Sequence, residues 1–442
     1  METGIDDILK IAIPAILLAF AVVVAMVHKE FGPFTGVSAG GKWMLTLAFS
    51  LGVVAFSFKM AVAMSVASAP QRVVAPVVAA YRQSPVTPQP GLGAAFDSRE
   101  QPGHYVWEAL PEAAPAPADN PTTPEKVALG RRLYQEPRLS GDGSLSCASC
   151  HDLLGKAGGD GRRTATGIAG QVGGRNVPTV WNAAFQSVLF WDGRARSLEE
   201  QAAGPILNPI EMGMPSPAEA ERRLAADASY QEAFARVFGP GQGVSFDRIV
   251  KAIAAYERTL ITPDTPYDRF VRGDGSALTP AQIRGMALFE ATGCVTCHRG
   301  PAFSDASLLG GQLPLRVFPT NATPYEGRYD LLADGGAAGP GGGRGLWRVA
   351  SLRNVALTGP YLHNGSVDKL GEVVRIMASA QLGAAIGEAA AGPARVVAWQ
   401  PELRKFSRSE KRQLNDREVA DIVAFLSALS SDRLVAARLA RR

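Results

Sequence analysis

The four cysteines of the chain stand in two five-residue clusters, Cys147-Ala-Ser-Cys150-His151 and Cys294-Val-Thr-Cys297-His298. Each reads C-x-x-C-H, the attachment pattern of c-type haem, in which two thiols hold the porphyrin edge and the adjoining histidine turns its imidazole onto the iron. The other readings are a structural zinc site or a redox C-x-x-C pair. Neither requires a histidine directly after the second cysteine, and here that histidine occurs twice. Two covalently bound haem c groups are therefore expected, with His151 and His298 as proximal ligands.

A c-type iron used for low-spin electron transfer needs a sixth ligand, commonly methionine or histidine, whereas an empty sixth position leaves room for peroxide or oxygen. The stretch 178–193 matches 350–365 at one constant offset, pairing Asn182 with Asn354, Trp191 with His363 and Gly193 with Gly365, which an internal repeat explains. The same offset pairs Pro205 with Met377. After the second motif Met377 is the only methionine and His363 the only histidine, so the second iron is expected to be held by His298 and Met377. A lone methionine is more often helix core filler, and the shortage of other donors argues the other way here. Pro205 offers iron no side-chain donor, and no histidine lies between residues 152 and 297. The first iron is thus expected to be five-coordinate, with His104, Met212 and Met214 as the donors that would close it.

Peroxide chemistry at an open iron needs a group that moves a proton between the two oxygens. Glu211 is the candidate, with Gln201 completing a distal wall around Pro205. A loop glutamate is usually a solvated surface group, and only its place beside the Pro205/Met377 pair favours the catalytic reading. Trp191 is a candidate electron relay between the haems; as a buried aromatic it needs no such role.

Helices must position these residues. Thr123-Pro124 and Thr279-Pro280 each read as a cap followed by proline at the first helical position. Phe246, Ile249, Val250, Ile253 and Val419, Ile422, Val423, Leu426 show helical apolar spacing, the latter behind an Asn415…Glu418 capping box. An all-α architecture follows: two cytochrome c-like domains in tandem over about 122–265 and 275–430, with a basic tail at 431–442. The segment 70–121 is rich in Pro and Ala and reads as an extended tether. Ahead of it, in 1–69, lie two apolar stretches, Ile11 to Val27 and Trp43 to Ala69, expected to be transmembrane helices. Lys29 and Lys42 between them put that connection in the cytoplasm and the haem domains on the periplasmic side of a bacterial inner membrane. The rival reading cuts the second stretch as a signal peptide after Ala67-Ser-Ala69, leaving a soluble periplasmic protein. With 45 basic against 41 acidic side chains in 442 residues, no nucleic-acid partner is implied.

Leu129-Gly-Arg-Arg-Leu133, the run from Arg138 to His151, Phe190-Trp-Asp-Gly-Arg194, Gly204-Pro205, Pro209-Ile-Glu-Met212, Ser351-Leu-Arg-Asn-Val355 and Pro360-Tyr-Leu-His363 resemble the bacterial diheme cytochrome c peroxidases and their tryptophan-oxidising relatives. The resemblance covers about residues 122–430. It implies hydrogen peroxide reduction at the first haem, with electrons entering the second from a small cytochrome c, a cupredoxin or a membrane donor, and it leaves a homodimer open. It carries over Trp191 as inter-haem residue, Gln201, Pro205 and Glu211 as distal pocket, and Met377 as axial ligand. It also implies a calcium ion held by the Asn176 side chain and the Thr358 and Pro360 carbonyls, a hard-oxygen set that suits calcium.

The chain departs from the pattern where many peroxidases carry a removable distal histidine: Ile168 stands there, so no reductive activation is expected. The tryptophan-oxidising relatives, which modify a partner protein through stored high-valent haem, lack that histidine too but place tyrosine on the second haem. Met377 keeps this chain nearer the peroxidases. An Ala/Gly-rich insertion around 384–393 is a further departure, with no physical preference as to its role.

Overall fold

The computed structural model describes residues 105–339, 344–382 and 414–441, with Ser38 and Gly41. Both amino-terminal apolar stretches, most of the Pro/Ala-rich segment, His104 and the 384–393 insertion lie outside the described residues. Among the described residues no helix is long and apolar enough to cross a membrane. Both C-x-x-C-H motifs lie in the compact unit Val73–Arg442.

In the first half, α1 (Pro124–Tyr134) starts on Thr123, whose hydroxyl accepts from the Lys126 N–H, and turns Leu129, Leu133 and Tyr134 inward. Two further helices, α2 (Leu198–Leu207) and α3 (Phe246–Glu257), are capped by Ser197 and Ser245. The second half repeats the plan with α4 (Pro280–Ala291) under a Thr279/Gln282 capping box, α5 (Leu370–Ile376), and α6 (Asp416–Ala428) under the Asn415/Glu418 box. In each half the first and last helices cross through a glycine. A Cβ on Gly130 would collide with the Ala252 carbonyl, and one on Gly285 with the Asp421 carbonyl, so each close approach excludes every other residue. The repeat extends to backbone conformation. Asn182 and Asn354 have φ of 62° and 61°, Phe190 and Leu362 have φ of 64° and 70°, and bridges Leu189–Ala195 and Tyr361–Val367 occupy equivalent places.

Three sequence-based boundaries are corrected. The fold is largely helical but not all-α: β1 (Leu315–Phe318) and β2 (Gly345–Arg348) pair antiparallel with Leu315 opposite Arg348. Strands this short leave almost no alternation to read. The tether does not run to residue 121, because Tyr105, Trp107 and Leu110 are buried, and the first two pack in the second core with Phe303 and Phe425. Average composition hid three large apolar side chains. The basic tail is a helix, α7 (Asp432–Leu439), whose Leu434 is buried in the first core and whose Arg438 donates to the Leu357 carbonyl. The short helix Pro266–Val271, between the two expected domains, sends Tyr267 and Phe270 into the second core. There the fully buried pair Arg353–Asp268 closes at 2.6 Å.

Candidate active site

Each motif folds as one tight turn closed by its histidine, whose N–H donates to the carbonyl of the first cysteine, His151 to Cys147 and His298 to Cys294, both at 2.9 Å. The His151 Nδ1 donates to the Gly158 carbonyl at 2.9 Å, and the His298 Nδ1 to the Phe303 carbonyl at 3.2 Å. A carbonyl only accepts, so the proton sits on Nδ1 and the Nε2 lone pair is left for a metal. Burial pushes both imidazoles below their ordinary range, which keeps them neutral, the state a ligand needs. None of the four cysteines is taken up in a disulfide, so both pairs are available for haem attachment.

One cavity is lined by both histidines. Met377, Trp191 and Gln201 share its wall, as do Asn176, Thr358 and Pro360. Met377 opens a π-helical turn, Met377–Gln381, that widens the end of α5, a device common at functional sites. Among the described methionines and histidines, only Met377 and His363 join the motif histidines on this wall. His363 is stacked on Trp347, ring centroids 3.9 Å apart, and burial pushes its imidazole down to about 4. Met212 and Met214 are side chains of the first core, not of the cavity.

Glu211 and Pro205 do not line that cavity. Pro205 lies inside α2 and its carbonyl accepts from the Met212 N–H at 3.1 Å, which folds the following turn back along the helix. Glu211 sits in this turn with Oε1 held by the Asn208 side-chain amide at 2.8 Å. Burial raises its carboxyl above the usual range, against the opposing pull of Arg194. Ile168 donates its N–H to the Glu211 carbonyl at 2.8 Å, and Gln171 reaches the Pro209 carbonyl at 3.2 Å. The loop that carries Ile168 is therefore clasped onto the Glu211 turn.

Trp191 ties the two halves together. Its indole N–H donates to the Asn176 carbonyl at 2.8 Å, and its own carbonyl accepts from the Arg348 N–H at 2.8 Å. The Asn176 N–H in turn donates to the His363 carbonyl, joining the repeat-equivalent residues Trp191 and His363 through one asparagine. Both hydrogen bonds of the Asn176 side-chain amide go to the Arg162 and Arg163 carbonyls, which leaves its Oδ1 free to meet a cation.

The cavity wall also fits a large polar-edged group. Gln186 Nε2, Arg316 Nε and Trp347 Nε1 are buried donors without a partner, the His363 Nε2 is unpartnered too, and all four residues line the cavity. Orphaned buried donors are rare and call for a ligand. The sequence reading missed Gln186, Arg316 and Trp347, and also Glu257, the last residue of α3. Glu257 lines the same cavity at 5 % exposure with Oε2 unpartnered, and burial pushes it up to about 8. Its signal was present: a carboxylate directly after the apolar run Ala252 to Tyr256.

Two cores of one repeat, each presenting a C-x-x-C-H histidine to a shared cavity, define a tandem c-type haem protein. A family model described as di-haem cytochrome c peroxidase matches residues 124–276. The chain is 40% identical over 319 residues to the cytochrome c peroxidase Ccp of Escherichia coli, a match covering 72% of this chain and 60% of that longer protein. It is 37% identical over 344 residues to the cytochrome c551 peroxidase of Nitrosomonas europaea, covering 77% of this chain and 89% of the relative. The crystal structure of a MauG-like protein associated with microbial copper homeostasis is similar with a TM-score of 0.59 and 34% identity, over 75% of this chain and 96% of that one. The chain belongs to the di-haem cytochrome c peroxidase family, which has both peroxidase and MauG-type members. It is accordingly an oxidoreductase of a di-haem family.

Proposed function

We propose that this protein reduces hydrogen peroxide on the His151 side of the cavity with electrons that enter on the His298/Met377 side. When bound, the two haems supply the iron that cleaves the O–O bond and the store of electrons that completes it. The observation that carries the reading is the asymmetry of the side chains that could reach each iron. Met377 lines the cavity with His298, whereas its repeat-equivalent Pro205 has no donor atom in its side chain, and Met212 and Met214 are held in the first core.

Glu211 holds the proton. Asn208 occupies its Oε1, so the proton resides on Oε2, and burial keeps the carboxyl protonated to higher pH than a solvated glutamate. Gln201, from the middle of α2, orients the distal side with its amide. Trp191, fixed by hydrogen bonds at both its indole and its carbonyl, bridges the two halves on the electron path. The Asn176 Oδ1, with carbonyls from Thr358 and Pro360, residues of the same wall, would hold a calcium ion that stiffens this bridge. The reading extends to a small cytochrome c or cupredoxin as donor, and to a periplasmic haem unit tethered to the inner membrane by the amino-terminal apolar stretches.

Electron paramagnetic resonance of the isolated ferric holoprotein tests it. One high-spin and one low-spin signal are expected without added reductant. Two low-spin signals would overturn the ready, open first site. Kinship with MauG-type members keeps a second reading in view, oxidation of a tryptophan in a partner protein; rapid peroxide turnover with reduced cytochrome c decides against it.

A further inference from the structure

Arg348 is a buried guanidinium without a counter-charge. It is 9 % exposed, its Nε donates to the Phe190 carbonyl at 2.8 Å and its Nη1 to Gln186 Oε1 at 3.1 Å, both neutral acceptors. Among the described residues no carboxylate pairs with it, and burial alone pushes it down to about 10. A buried charge left unpaired is costly by several kcal/mol. Its neighbours deepen the imbalance. The fully buried Asp305 is shared by Arg299 at 3.3 Å and Arg316 at 2.8 Å, so Arg348 and Arg316 on the cavity wall and Arg299 behind His298 have one paired carboxylate among the three. Gln186 Nε2 and Arg316 Nε, both on the cavity wall, are donors with no acceptor. The excess is two positive charges together with unused N–H groups, and it calls for anionic oxygens.

We propose that Arg348, with Gln186 and Arg316, is the binding site for the propionate carboxylates of the haem attached at Cys294 and Cys297. The inference rests on that haem being bound. Chain connectivity favours the second haem over the first: Arg348 leads through Val349 to Ala350, whose backbone lies against the His298 ring, and Arg299 follows His298 directly. Charge-assisted hydrogen bonds from a fork-shaped guanidinium suit a carboxylate. Because the Arg348 N–H and Nε–H hold the carbonyls of Trp191 and Phe190, the same residue couples that haem edge to the tryptophan between the halves.

The test is a spectroelectrochemical titration of the holoprotein, reading the low-spin and high-spin haems separately. A cation beside the propionates favours the reduced iron, so R348Q is expected to raise the ferric-to-ferrous ratio of the low-spin haem at least tenfold at fixed potential, about 59 mV for a one-electron couple. A new pH dependence of that potential is expected as the unpaired propionate titrates, while R348K keeps most of the wild-type value. Gln186→Leu, which removes a neutral donor, is expected to give a smaller shift in the same direction and serves where R348Q does not fold. An unchanged low-spin potential in the variants, or a shift confined to the high-spin haem, overturns the proposal. Loss of the haem reading itself would show earlier and differently, as wild-type protein without two covalent haems by mass.

Discussion

Asn182 and Asn354 donate their side-chain amides to one hydroxyl, that of Thr262, at 2.8 and 3.1 Å. They are equivalent residues of the repeat, both left-handed and both buried. Asn182 also accepts from the Thr262 N–H, and Asn354 from the Ser431 N–H at the start of α7. The two haem-side loops, the inter-domain segment and the carboxyl-terminal helix are thus fastened at a single point between the repeats. Thr262→Val keeps the shape and removes the acceptor, leaving two buried amides unpaired. A loss of about 2–4 kcal/mol in folding stability is expected by denaturant titration, with Thr262→Ser close to wild type. An unchanged midpoint in the valine variant would contradict the role of this junction.

Glu211→Gln keeps the hydrogen bond from Asn208 within reach of a side-chain oxygen but removes the exchangeable carboxyl proton. Peroxide turnover is expected to fall about 10²–10⁴-fold. Haem content and the low-spin signal of the His298 haem should not change. A loss below threefold would leave proton handling to another group.

How far the sequence disclosed the site depends on the kind of signal each residue carries. The C-x-x-C-H motifs, the caps at Thr123, Thr279 and Asn415 and the repeat are local patterns, and each is present in the structure. Met377 was legible through the shortage of alternative donors after the second motif, and it stands on the cavity wall with His298. Glu211 and Pro205 lie off that wall, Pro205 within α2 and Glu211 in the turn after it, which the long-range clasp by Ile168 holds. Arg348 and Gln186 were invisible because their meaning is a missing counter-charge, which exists only once β2 and the loop before Phe190 meet in space. Trp107 was hidden by averaging over a proline-rich segment, although one tryptophan outweighs many alanines in burial.

Glu257 gives a pH signature. Its folded-state carboxyl is pushed up to about 8 from an ordinary 4.5, so between those values the native state keeps a proton that the unfolded chain has released. Stability from this group therefore falls as pH rises across that window and is flat above it, on the order of a few kcal/mol in all. Glu257→Gln is expected to flatten the dependence and to stabilise the protein at neutral pH. Parallel stability–pH curves for the variant and wild type would show that the carboxyl is charged in the fold.

Trp107 decides whether the segment ahead of the first domain is tether or core. It meets Tyr105 at 4.7 Å and Phe425 at 5.8 Å between ring centroids, and Tyr105 accepts from the Gly300 N–H two residues after His298. A tether residue can be truncated without consequence, whereas a buried tryptophan replaced by alanine costs about 3–5 kcal/mol. Trp107→Ala is therefore expected to lower thermal stability and to loosen the turn behind His298, visible as a broadened low-spin signal. The control is a substitution at Glu112, exposed in the same segment, which should leave both readouts unchanged. Equal behaviour of the two variants would return residues 105–110 to the tether.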